Sequence, residues 1–186
     1  MPDIFIIAGC NGAGKTTAAY NLLPDVFKTV EFVNADEIAR GLSPFNPTGV
    51  AFQAGRIMLE RLEQLVGENK NFSFETTLSG FTYLSFIKKA KEKGYMITFF
   101  FVYLNSAELA VERVAIRVSK GGHSILKEVI ERRYFKGLSN FSKYAEEADD
   151  WFVYDNSGKK YELVASMEND EKKIINFEIF KIISGE

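Results

Sequence analysis

The chain of 186 residues holds one cysteine, one histidine, one tryptophan and four prolines. Each scarcity excludes something. A lone Cys10 closes no intrachain disulfide and fits a reducing compartment, and His123 has no cysteine or histidine companions at zinc-ligand spacing. With 46% hydrophobic and 26% charged residues the composition is globular, and no repeat, low-complexity tract or linker divides it. The net charge of −2 lacks the basic excess that draws a protein onto nucleic acid or anionic lipid, so neither is expected as a partner. The longest apolar-rich run, residues 96–104, is too short to cross a bilayer, and no signal peptide is evident. The expectation is one cytoplasmic domain over residues 1–186.

What is present is concentrated near the start. An apolar strand from Ile4 to Ala8 runs into Gly9-Cys10-Asn11-Gly12-Ala13-Gly14-Lys15-Thr16, which matches G-x-x-x-x-G-K-[ST] at every fixed position. Glycines let the backbone turn so that successive N–H groups face phosphate oxygens, and the following helix adds its positive dipole end. The motif assigns nucleotide contacts to residues 9–17, Thr17 included. Lys15 reaches the β- and γ-phosphates, and the Thr16 hydroxyl holds Mg²⁺. Cys10 sits at a free position of the motif; a helix N-terminus can depress a thiol pKa, but a small residue tolerated there is the simpler reading.

Hydrophobic period and breaker residues order the rest. A helix from Lys15 to Leu23 stops at Pro24, and a short strand over residues 30–34 leads into Asp36 and Glu37. A long helix over residues 48–67 carries Phe52, Ile57, Leu59, Leu62 and Leu65 on its apolar side. A strand over residues 71–75 delivers Glu75, Thr76 and Thr77, followed by a helix over residues 82–93. The most hydrophobic strand, residues 95–104, is expected at the sheet centre. Ser106 caps a helix to about Val118, Gly121-Gly122 breaks it, and a second helix starts at Ser124 with a break at Gly137. A strand over residues 151–154 precedes a tail, residues 158–186, with a turn at Asn169-Asp170 between a strand and either a strand or a helix. The alternation predicts an α/β fold of three layers, a mostly parallel, doubly wound P-loop sheet with helices on both faces and a small helical lid over residues 113–137.

In such sheets ligands sit beyond the carboxyl ends of the strands, so the phosphate loop, Asp36 and Glu75-Thr76 should share one edge. Asp36 is the candidate general base for an acceptor hydroxyl, the alternative being a helix N-cap. Glu75 and Thr76 are candidate substrate contacts or holders of a metal-bound water, the alternative being that Thr77 or Ser79 simply caps the next helix. Arg113 and Arg117 lie four apart on one helix face and are candidates to close on phosphates, against a solvated face. For Arg132, Glu128 stands at the spacing of a surface ion pair. No Walker-B acid is evident after the strand at residues 96–104.

Seven segments together resemble the zeta-toxin-like P-loop kinases, in particular a compact bacterial branch known as predicted ABC-type ATPases. They are GCNGAGKTT (9–17), NADEIARGLSP (34–44), AGRIML (54–59), FETTLSG (74–80), RVAIRVSKGGH (113–123), IERRYFKGLSNF (130–141) and WFVYDNS (151–157). The resemblance implies an ATP- and Mg²⁺-dependent kinase in which Asp36 activates a sugar hydroxyl. It also implies that Glu75 and Thr76 bind substrate and that Arg113 or Arg117 binds phosphate. In the founding toxins the acceptor is UDP-N-acetylglucosamine, and a protein antitoxin is a possible partner. This chain is shorter than those toxins and has His123 where they place a second lid arginine, which leaves Arg132 or Arg133 to substitute. A competing reading is a nucleotide-gated ATP-binding module that acts through a protein partner.

Overall fold

A computed structural model describes residues 1–22 and 29–185. The sheet has seven strands in the order β2-β3-β1-β4-β5-β6-β7. They are β1 (Asp3–Ala8), β2 (Phe32–Val33), β3 (Phe72–Thr76), β4 (Met96–Tyr103), β5 (Asp150–Asp155), β6 (Glu162–Glu168) and β7 (Glu171–Ile174). The first five are parallel, and β6 and β7 join antiparallel. The strand expected to be central, β4, is the fourth of the seven and pairs with both β1 and β5.

Alternating side chains divide two apolar faces. Ile4 and Ile6 of β1 and Phe99 and Phe101 of β4 enter one cluster with α3 (Ala51–Gly67), α4 (Thr82–Glu92), the C-terminal half of α6 (Lys127–Ala145) and α7 (Phe177–Ser184). Ile7 and Phe100 face the other way onto α1 (Lys15–Leu22), and Val102 packs on α5 (Ala107–Ser119). The expected end of the first helix, Leu23 and Pro24, lies outside the described residues.

Three expected boundaries move. Residues 47–50 form a 3-10 turn capped by the Asn46 side chain, and α3 starts only at Ala51. Its buried stripe is Ala54, Met58, Leu62 and Leu65, whereas Phe52 is 86% exposed. The second lid helix starts at Lys127 rather than Ser124 and passes Gly137 without a break. Gly137 serves packing: a Cβ there would lie 2.9 Å from the Thr77 carbonyl oxygen, so its missing side chain lets the β3–α4 loop approach the helix. In the tail, Asn169 and Asp170 take φ of 52° and 65°, the left-handed pair of a tight hairpin, and both a strand and a helix follow. Among the described residues no helix is long and apolar enough to cross a membrane.

Candidate active site at the phosphate loop

The loop leaves β1 at Gly9, whose φ is 143° and where a Cβ would lie 2.3 Å from the Val102 carbonyl oxygen. Only glycine fits between β1 and β4 at that point. Downstream, the Lys15 ammonium turns back and donates to the Cys10 carbonyl at 2.9 Å. Burial pushes the Cys10 thiol up to about 11 even with Lys15 nearby, so the side chain is a packed thiol and not an activated thiolate.

Glu75 collects the donors of the loop. It is the last residue but one of β3, which lies beside β1 in the sheet, and its carboxylate is 3.3 Å from Lys15 Nζ. The Thr16 hydroxyl donates to it at 2.6 Å and Asn34 Nδ2 at 3.0 Å. The strand carrying this carboxylate, β3, lies on the other side of β1 from β4.

Asn34 does a second task. Its Oδ1 accepts from the Asp36 and Glu37 amides and caps α2 (Ala35–Leu42), so Asp36 is in the first turn and is not itself the cap. Neither Thr77 nor Ser79 caps α4, since their hydroxyls bond to each other at 2.9 Å and Phe81 stands at the cap position. Thr76 is buried and its hydroxyl accepts from the Leu78 amide, fixing the turn after β3.

These elements enclose a cleft of about 330 Å³ lined by Asn11, Asp36, Glu75, Thr76, Thr77 and Arg133, among others. The lid side is contributed by α6: Arg133 Nη1 donates to Asn11 Oδ1 at 3.1 Å. Burial lowers the Arg133 pKa, and Asp36 opposes that shift. Arg133 follows Ile130 by three residues and precedes Gly137 by four, so it shares the inward face of the helix. That spacing is the sequence signal that separates it from Arg132, and the i,i+4 ion pair on this helix is Lys127–Glu131 at 3.7 Å.

Arg113 and Arg117 are not in that cleft. Arg113 Nη2 donates to the Ser157 carbonyl at 3.3 Å, and Arg117 Nη2 to the His123 carbonyl at 3.4 Å. Both line a separate depression of about 520 Å³ with Arg40, Lys120, Gly121 and Gly122. Nε of Arg117 and Nδ1 of His123 are buried without a hydrogen-bond partner. Sequence reasoning gave Asn34, Asn156 and Tyr161 no role. Asn156 Nδ2 donates to the Ala13 carbonyl at 2.8 Å, and the Tyr161 hydroxyl to the Gly14 carbonyl at 2.9 Å. Asn156 stands inside the quoted WFVYDNS segment; Tyr161 carries no sequence signal.

A mostly parallel P-loop sheet with helices on both faces, its phosphate loop beside a carboxylate-lined cleft, defines the ATP-binding P-loop kinase class. The zeta toxin family model matches residues 1–164, and the chain belongs to that family. An uncharacterized protein of Haemophilus influenzae is 32% identical over 127 residues, 68% of this chain and 88% of that protein. In structure, the chain is similar to the AvrRxo1-ORF1:-ORF2 complex with ATP, with TM-score 0.80 and 19% identity over 99% of this chain. The match covers 64% of the length of the AvrRxo1 chain. It is also similar to the PezAT chromosomal toxin-antitoxin system of Streptococcus pneumoniae, with TM-score 0.70 and 14% identity over 100% of this chain and 79% of that one.

Proposed function

We propose that this protein transfers the γ-phosphoryl group of ATP to a hydroxyl of a small molecule, with a nucleotide sugar such as UDP-N-acetylglucosamine as the first acceptor to test. The observation that carries the reading is the shared cleft: Asp36 and Glu75 line one cavity with Asn11 of the phosphate loop, and Glu75 bonds to Lys15 and Thr16 of that loop. In the proposed reaction, Asp36 accepts the proton of the acceptor hydroxyl as its oxygen bonds to Pγ and the bond from Pγ to the β,γ-bridging oxygen breaks, leaving ADP. Lys15 and the loop amides hold the phosphates, and Arg133 faces the same space. Thr76 and Thr77 offer hydroxyl and backbone groups to the acceptor. Arg113 and Arg117 each spend one guanidinium nitrogen on a backbone carbonyl and keep other N–H donors for phosphate.

The donor set suits magnesium. The Thr16 hydroxyl and Glu75 carboxylate are hard oxygen donors 2.6 Å apart beside Lys15. The ion, when bound with ATP, neutralises charge on the β- and γ-phosphates. A protein antitoxin belongs to the same proposal, supported by the likeness to PezAT, which is a toxin-antitoxin system.

The test is incubation with MgATP and a panel of hydroxyl acceptors that includes UDP-N-acetylglucosamine, followed by mass spectrometry of the products. A product heavier by one phosphoryl group is expected. Asp36→Asn should lower turnover at least about 100-fold while changing MgATP affinity less than about twofold, because only proton transfer is removed. ATP binding with no phosphorylated product from any acceptor, and partner capture that persists in Asp36→Asn, would favour the nucleotide-gated module instead.

A further inference from the structure

The loop between β5 and β6 reaches the phosphate loop from outside and holds two of its carbonyls. The Asn156 amide takes Ala13 and the Tyr161 hydroxyl takes Gly14. We propose that Asn156 and Tyr161 are positioning residues for the phosphate loop, aiming the Gly14 and Lys15 amides at bound phosphate. The proposal rests on reading residues 9–16 as a triphosphate cradle.

The geometry follows from the peptide bond. Within one planar trans peptide, the carbonyl of a residue and the N–H of the next point in opposite directions. Holding the Ala13 oxygen outward turns the Gly14 N–H inward, and holding the Gly14 oxygen does the same for the Lys15 N–H. The Gly14 oxygen also accepts the Ala18 amide at 2.9 Å, which opens α1, so its peptide is fixed twice. By contrast, Asn156 supplies the side-chain contact to Ala13.

The fit around Gly14 shows how closely the two elements meet. Its φ is 93°, and a Cβ there would lie 2.7 Å from both Asn156 Nδ2 and the Tyr161 hydroxyl oxygen. The clamping loop is itself anchored. The Asn156 backbone N–H donates to the Tyr103 carbonyl at 3.0 Å, the Ser157 hydroxyl accepts from the Asn105 backbone N–H at 2.8 Å, and Arg113 donates to the Ser157 carbonyl. In this arrangement Arg113 supports the cradle through the clamping loop.

Two variants remove the contacts with little change of shape: Asn156→Leu and Tyr161→Phe. Isothermal titration of wild type, each variant and the double variant with MgATP and with magnesium tripolyphosphate separates the possibilities. Each single substitution should weaken both ligands about fivefold, and the double more, since each bond lost is an ordinary hydrogen bond. Equal loss for tripolyphosphate, which has no base, assigns the effect to the loop amides. Unchanged affinity for both ligands with a lowered melting temperature would make the contacts structural only and overturn the proposal. A loss confined to ATP would place the effect at the base and overturn it as well. Tyr161→Phe deletes a single oxygen and decides the matter if Asn156→Leu does not fold. Failure of wild type to bind either ligand would instead refute the triphosphate reading on which the proposal rests.

Discussion

Glu75 is 10% exposed and Lys15 5% exposed, and each satisfies the other at 3.3 Å. Removing one member of such a pair leaves an uncompensated charge, so Glu75→Ala should cost about 3–5 kcal/mol in urea denaturation. The Lys15→Ala/Glu75→Ala double variant should cost less than the sum of its singles, because the stranded charge is then gone. The sequence placed Glu75 on the acceptor side and left its bond to the loop unseen. That bond depends on β3 lying beside β1, a pairing of strands some 70 residues apart that no local pattern encodes. His123 makes the second case at this scale. Burial lowers its pKa; Asp36 and Glu37 of α2 oppose the shift, and Arg40 of α2 and Arg117 of α5 reinforce it. A lowered folded-state pKa means the unfolded chain binds the proton more readily, so stability is full above about pH 6.5 and falls as pH drops through the folded value. His123→Gln should therefore flatten the fall in melting temperature between about pH 6.5 and 5 relative to wild type.

At the scale of elements, α3 shows what periodicity can and cannot carry. Its existence and end at Gly67 were legible, and Leu62 and Leu65 were rightly placed on the core face. Phe52 was not, because at 3.6 residues per turn it points away from the side that carries Leu62 and Leu65, and the stripe that meets the sheet runs through Ala54 and Met58. Small and flexible core residues carry a weaker hydrophobic signal than an exposed phenylalanine, so the ranking by side-chain size points to the wrong face. The energetic contrast is testable by denaturation. Leu62→Ala empties a fully buried position and should cost about 2–5 kcal/mol, whereas Phe52→Ala should fall within about 0.5 kcal/mol of wild type. Gly137 teaches the complementary lesson, since glycine inside a helical pattern reads as a breaker until the Thr77 carbonyl that needs the space is seen.

For the molecule as a whole, the family match ends at residue 164 while the core continues past it. Phe180 of α7 stacks on Trp151 with ring centroids 5.7 Å apart and also meets Phe141 edge-on at 6.4 Å. The cluster containing these rings also contains Ile4 and Ile6 of β1, the strand that carries the phosphate loop. Packing of the tail and presentation of the loop thus share one apolar body, although no residue of α7 lines the cleft beside the phosphate loop. Phe180→Ala should lower unfolding free energy by about 3–5 kcal/mol, which for a domain of this size corresponds to a fall in melting temperature on the order of 10 °C. MgATP at one fixed concentration, 100 times the wild-type dissociation constant, should add about 2.7 kcal/mol to either protein, because linkage depends on affinity for the folded state alone. Differential scanning calorimetry with and without MgATP separates the two effects: a Phe180→Ala protein that melts early yet gains as much from nucleotide as wild type has lost core and kept its site. A gain that shrinks with the loss would instead mean that the C-terminal packing sets the geometry of the loop.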